Sequence, residues 1–269
     1  MSIITTIETR KSVRNFTGEP LSKKDENAIL KFISDLKAPF GAKVRIDLIH
    51  AHTGDEAVKL GTYGVIKGAS AFLTLTYEEG SLADQSAGYM FEQVILHCTQ
   101  MGLGTCWVGG TFKWNNFAGQ LNLKKGENLR IISPVGHPID KKRWLVSLMR
   151  SIAKSDSRKP FEILFFKDNF LTPLEKEDAG DYLQPLEMVR LAPSASNTQP
   201  WRIVMKDNAF HFYYHKVSSF SSLDIGIAMC HFEQTCKELN LAGRYEVLKN
   251  STHLPLNKDN TYVISWVHD

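Results

Sequence analysis

Apolar residues recur at helical spacing through AILKFISDL (28 to 36), behind Ser22 and the acidic pair Asp25-Glu26. A cap, an acidic first turn and an amphipathic stripe together predict a helix. VRIDLIHA (44 to 51) and SAFLTLTY (70 to 77) alternate or run apolar with β-branched residues, which predicts two strands. A second helix is predicted from about Ser86 to Met101, closed by Gly102, where glycine takes the left-handed conformation that ends helices. NLRIISPVG (128 to 136) is a third predicted strand, and the basic stretch Lys141-Lys142-Arg143 follows it.

The second half of the chain retraces this order. Arg158-Lys159-Pro160-Phe161 echoes Arg10-Lys11-Ser12-Val13, and Ala192-Pro193 echoes Ala38-Pro39, each trailed by an Arg-Ile strand start at Arg45-Ile46 and Arg202-Ile203. SAGYMFEQVILHCTQMGLG and DIGIAMCHFEQTCKELNLA align Gly88 with Gly226, Cys98 with Cys236 and Leu103 with Leu241. NLRIISPV aligns with NTYVISWV, Asn128 on Asn260 and Ser133 on Ser265. The conserved order of the pieces argues for an internal duplication rather than chance likeness between two helices and two strands. The halves are expected at 1–154 and 155–269, with LVSLMRSIAKSDS as the connection and Ser155 to Ser157 as the seam. Two similar α+β halves would pack as an isologous dimer does, one chain imitating two subunits.

Composition narrows the classes. With 269 residues, 43% hydrophobic and 23% charged, the chain has the makeup of a folded protein rather than a disordered one. A net charge of +3 gives too weak an overall field to argue for nucleic acid. MSIITTIETRKSVRNF lacks a basic stretch followed by an apolar one, and no apolar run is long enough to span a bilayer, so a cytoplasmic protein with no membrane partner is expected. Cys98, Cys106, Cys230 and Cys236 form no CxxC pair and no zinc spacing, and are expected as buried thiols. His50 and His52, and His211 and His215, are expected to be packed or solvated, so no metal is expected. GLGTCW has Trp107 where a dinucleotide-binding fingerprint needs its third glycine, and no phosphate-loop lysine follows.

Three segments carry chemistry: ETRKSVRNF, GLGTCWVGG and APSASNTQPWRIV. Together they resemble the nitroreductase family of flavoenzymes, and the resemblance spans most of the chain. PSASNTQPW is the most specific, because many constrained residue types coincide. The departure is order: family members carry PSxxNxQPW shortly after RxSxR, whereas here it waits until Pro193. The first half keeps Arg10, Ser12, Arg14, Gly109-Gly110 and the basic tail, but has PFGAK in the place of the serine motif. The second half keeps Pro193, Ser194 and Asn197, but has Pro160 for the serine, Arg244-Tyr245 for the glycines and no basic tail. Family enzymes bind flavin between two subunits, so this sorting implies a tandem, single-chain branch with one complete site and one FMN per chain. The monomer is then the expected functional unit, with a homodimer left open.

The resemblance assigns roles residue by residue. Arg10, Lys11 and Ser12 with Lys142 and Arg143 are expected at the FMN phosphate, which suits guanidinium, ammonium and hydroxyl donors; the alternative is a solvated basic face. Arg14 is expected beside the pyrimidine end of the flavin, where a cation favours the reduced state; the alternative is a surface arginine. Gly109 and Gly110 would let backbone amides approach the ring, one of them N5, unless they merely form a turn. Pro193, Ser194, Ala195 and Asn197 would position the other edge of the ring or the ribityl chain, and Trp201 is expected in the core. No protein group is expected to be catalytic, the flavin carrying the chemistry. The implied activity is ping-pong hydride transfer from NADH or NADPH through FMN to a nitroaromatic or quinone-type acceptor. Reductive dehalogenation, flavin breakdown and a non-catalytic flavin-binding role are the alternatives, and Tyr63, Phe112 and Trp114 are candidate pocket residues.

Overall fold

In the computed structural model, which describes residues 1–51, 61–139, 158–248 and 259–268, the predicted cap is in place. Ser22 Oγ accepts the Asp25 amide at 3.1 Å, and the helix behind it runs Lys23–Asp35 (α2), after a short first helix Ile3–Thr9 (α1). Two strands follow, Val44–His50 (β1) and Ala71–Glu78 (β2). The helix predicted from Ser86 begins three residues earlier and runs Ala83–Gln100 (α3). Its start is set by Leu82, which takes a left-handed conformation with φ 53° and breaks the approaching chain. Gly104–Thr105 (β3), Trp114–Ala118 (α4) and Glu127–Gly136 (β4) complete the first half.

The second half opens with Phe161–Leu164 (α5) and Phe165–Lys167 (β5), then Leu183–Arg190 (α6). Trp201–Lys206 (β6), Ala209–His215 (β7), Ser221–Glu238 (α7), Gly243–Glu246 (β8) and Asn260–His268 (β9) follow. The fold is α+β, as expected. The chain divides into two compact units, Met1 with Thr9–Ala153, and Ser2–Glu8 with Lys154–Asp269. Most of α1 therefore belongs to the second unit, not to the half in which its sequence position puts it; the Ile3 amide donates to the Glu238 carboxylate at the end of α7. The expected seam at Ser155 to Ser157 lies outside the described residues.

The units repeat one topology. The first holds an antiparallel sheet in the order β1-β2-β4-β3, the second a sheet in the order β5-β6-β7-β9-β8, in which only β5 is parallel to its neighbour. A shift of 138 positions carries α3 onto α7 residue for residue at both ends. The same shift carries the start of β2 onto that of β7, and the cross-strand pairs match: Leu73 faces Ser133 as His211 faces Ser265. Both central helices are buried on nearly every side, as helices with apolar residues all round must be. All four cysteines are free and buried, as the sequence suggested. Trp201 is wholly buried at the start of β6.

Candidate functional site

In the first unit, the RKSVR segment lies alongside β3. The Val13 amide donates to the Thr105 carbonyl at 2.8 Å, and the Lys67 amide to the Arg14 carbonyl at 2.9 Å. Val13 is buried while Ser12 and Arg14 are exposed, the alternation of an extended strand. Gly104 makes this approach possible, because a Cβ there would stand 2.8 Å from that of Val13. Beyond β3 the chain stays pinned to β4: the Cys106 amide donates to Ser133 Oγ at 3.1 Å, and Val108 exchanges backbone bonds with Ile132 at 2.9 and 3.0 Å. Gly109 and Gly110 come next, so one stretch, Gly104 to Val108, aligns RKSVR and delivers the glycine pair. Among the described residues, a Cβ at Gly110 would meet no atom within 4 Å, so their packing does not demand glycine there.

Arg10 differs from the exposed Ser12 and Arg14. Its side chain is 6% exposed, and its Nε and Nη1 are buried without a hydrogen-bond partner. Glu92, on α3, stands 3.9 Å from Arg10 Nε, beyond hydrogen-bonding reach. The other Glu92 oxygen accepts Trp107 Nε1 at 2.7 Å. A buried guanidinium with idle donors is a costly arrangement that an incoming anion relieves. Lys11 is half-buried beside it. Lys142 and Arg143, the rest of the expected phosphate set, lie outside the described residues.

In the second unit, the PSASN loop is a tight, strained turn. Ser196, Asn197 and Gln199 all take left-handed backbone with φ of 50°, 55° and 47°, each costing roughly 1–3 kcal/mol outside glycine. Ser194 Oγ accepts the Gln199 amide at 2.9 Å. The Ala195 amide donates to both oxygens of Asp224, at 3.2 and 3.1 Å. Asp224 sits in the first turn of α7 and is 3% exposed. Burial drives its carboxyl up to about 7, against the pull of the Ala195 amide. Pro193 and Ser194 are half-buried, and Asn197 is exposed.

The echo of Arg10-Lys11 is also engaged with this loop. Arg158 Nη1 donates to the Ala192 carbonyl at 2.7 Å and, at 3.4 Å, to Asn197 Oδ1, while Nη2 donates to the Leu191 carbonyl at 2.9 Å. Lys159 Nζ donates to the Thr198 carbonyl at 2.7 Å, and its backbone amide to Gln199 Oε1 at 2.8 Å. Burial, with the nearby Arg202 cation, lowers the Lys159 pKa.

Sequence reasoning missed Glu92, Trp107 and Asp224. The available signal was a lone carboxylate inside an otherwise apolar helical run, in MFEQV and in LDIGI. Of the candidate pocket residues, Phe112 is buried edge-on against Phe117 at 5.3 Å. Tyr63 and Trp114 are largely exposed, the latter donating its Nε1 to the Leu129 carbonyl at 3.1 Å. His211 is packed, its Nδ1 2.7 Å from Ser265 Oγ, and His52 lies outside the described residues. Among the described residues no cluster has the makeup of a metal site, and no helix is long and apolar enough to cross a membrane.

This architecture defines an α+β protein of nitroreductase-like fold. A crystal structure of a putative nitroreductase from Thermotoga maritima superposes on 99% of this chain and 94% of its own, with a TM-score of 0.63 and 19% identity. A putative nitroreductase from Desulfovibrio desulfuricans in complex with FMN covers 52% of this chain and 87% of its own, with a TM-score of 0.42 and 22% identity. A nitroreductase with bound FMN from Bacteroides fragilis covers 52% and 90%, with a TM-score of 0.41 and 16% identity. No curated protein matches the chain. Residues 2–236 match the model of the family described as "Putative TM nitroreductase", and the chain belongs to that family.

Proposed function

We propose that the protein is an FMN-dependent NAD(P)H oxidoreductase that binds one FMN per chain, with the single chain as the functional unit. The observation that carries the reading is the contrast between Arg10 and Arg158. Arg10 is buried with idle Nε and Nη1, whereas Arg158 has its guanidinium engaged by the Leu191 and Ala192 carbonyls. Of the two matching arginines, Arg10 keeps two donors unspent that a phosphate could take, beside the Glu92 carboxylate at 3.9 Å.

Arg10, Lys11 and Ser12, with Lys142 and Arg143, supply the cations and hydroxyl that a phosphate monoester needs. Arg14 contributes a fixed positive charge to stabilise a reduced ring. Gly109 is half-buried and Gly110 exposed, and without side chains their backbone amides could approach a ring closely, while Pro193, Ser194, Ala195 and Asn197 would offer a preshaped turn with polar edges. FMN, when bound, would supply the redox chemistry, taking a hydride from NADH or NADPH and passing electrons to a nitroaromatic or quinone-type acceptor in a ping-pong cycle.

The test is the visible spectrum of purified protein, with its flavin-to-chain ratio, before and after anaerobic NADH or NADPH. A ratio near one and bleaching of the flavin band are expected. A protein that takes up no FMN ends the reading, and flavin that neither nucleotide reduces leaves only a binding protein.

A further inference from the structure

Arg158, Lys159 and Asp224 are spent on one loop, and none of them belongs to the residues assigned to the flavin. We infer that these three are positioning residues, which hold the strained turn Pro193 to Gln199 in the shape that presents Ser194 and Asn197 to the flavin. The inference rests on the proposed FMN function and deepens it. It means that the second copy of the RK pair has exchanged anion binding for loop building.

The geometry supports each part. Arg158 ties the two residues before the loop, Leu191 and Ala192, to Asn197 within it. Lys159 closes the far end through the Thr198 carbonyl and Gln199 Oε1. Asp224 fixes the middle through the Ala195 amide. Without such ties, three left-handed non-glycine residues within four positions would relax, since backbone strain persists only where the surroundings over-determine it.

The duplication supplies an internal control. A shift of 138 positions relates Ser86 on α3 to Asp224 on α7. Ser86 also holds the matching turn of its own unit, donating from Oγ to the Pro39 carbonyl at 2.6 Å. The same helix position clamps the same turn in both units, by a hydroxyl donor in one and a carboxyl acceptor in the other. In the first unit the turn is Pro39–Gly41, with a single non-glycine left-handed residue, Phe40 at φ 60°. The more strained turn has the more extensive clamp: the Ala195 amide reaches both oxygens of Asp224, at 3.2 and 3.1 Å, where Ser86 makes a single bond to the Pro39 carbonyl.

Two measurements on the full chain test this. Amide hydrogen exchange in flavin-free protein reads the clamp directly: Asp224→Ala should speed exchange at Ala195, and Arg158→Lys at Asn197, each about tenfold or more, while Asp224→Asn, which keeps an acceptor, stays near wild type. FMN titration reads its purpose: the Kd should rise about tenfold for Asp224→Ala and Arg158→Lys, and Asp224→Asn should restore it. The effect of Arg158→Lys should also shrink in an Asn197→Ala background, because a residue acting through the loop is non-additive with it. Unchanged exchange overturns the clamp. Faster exchange with wild-type FMN affinity, or full additivity with Asn197→Ala, overturns the positioning role. A wild-type chain that binds no FMN overturns the proposed function and the flavin role with it, while exchange still decides whether the clamp exists.

Discussion

Glu92 Oε1 stands 3.9 Å from Arg10 Nε, with 0% and 6% of the two side chains exposed. Charges this far from water compensate one another even at a distance too long for a hydrogen bond, and removing one strands the other. Glu92→Ala is expected to destabilise the protein by about 3 kcal/mol. Glu92→Gln, which retains an acceptor for Trp107 Nε1, should cost less. Urea unfolding at constant m-value measures both. A loss under about 1 kcal/mol for the alanine variant would mean that Arg10 is compensated elsewhere.

The idle donors of Arg10 lead to a second prediction, which needs no flavin. Inorganic phosphate should raise the melting temperature of the wild-type protein and do so much less for Arg10→Ala, because a ligand stabilises only the state that binds it. The FMN Kd of Arg10→Ala should rise by about ten- to a hundredfold, the range for a lost charge-assisted bond. Equal phosphate stabilisation in both proteins would place the anion site elsewhere.

How much of this was legible in the chain depends on where each partner comes from. Helix α2, strands β1, β2 and β4, and the correspondence of α3 with α7 are written in apolar spacing and in a constant offset, both properties of the sequence itself. The start of α3 was not, since it depends on Leu82 taking a left-handed backbone that no residue type announces. The two-residue strand β3 was hidden for a similar reason: two residues carry no period, and its place is set by pairing with β4. Helix α1 joins the second unit through tertiary contacts that its position in the chain argues against.

Candidate residues could be picked from the sequence by type, but the surroundings of each could not. Arg10 and Arg158 look alike in sequence, but their surroundings differ: the Leu191 and Ala192 carbonyls accept from the Arg158 guanidinium, whereas Arg10 Nε and Nη1 have no hydrogen-bond partner and Glu92 stands 3.9 Å away. Carbonyl positions follow from the fold rather than from side-chain identity, so the repeated order could be read while the different partners of its two arginines could not.

Gly104 carries the third prediction. A Cβ at this position would lie 2.8 Å from the Val13 Cβ and 2.9 Å from both its methyls, and Val13 sits between Ser12 and Arg14. Gly104→Ala should cost about 1–3 kcal/mol by overpacking and weaken FMN binding, since relief requires the RKSVR segment to move. In a Val13→Gly background the same change should cost little. Full additivity of the two substitutions would show that the strain is taken up somewhere other than RKSVR.

Asp224 sets the sign of a pH dependence. Burial raises its folded-state pKa from the ordinary aspartate range to about 7, so the folded protein binds this proton more tightly than the unfolded chain. Stability from this group is present in full below about pH 4 and is lost as pH rises through about 7. At 3% exposure solvent screens the effect little, and the loss amounts to a few kcal/mol, roughly 4 at most. Asp224→Asn removes the titration while keeping an acceptor for the Ala195 amide. Its stability, measured by urea unfolding across the same range, should be flatter than that of the wild type and should exceed it near pH 8. Parallel curves for the two proteins would mean that the Asp224 carboxyl is already ionised at low pH, and that the loop is held by a charge rather than by a carboxyl that titrates near neutrality.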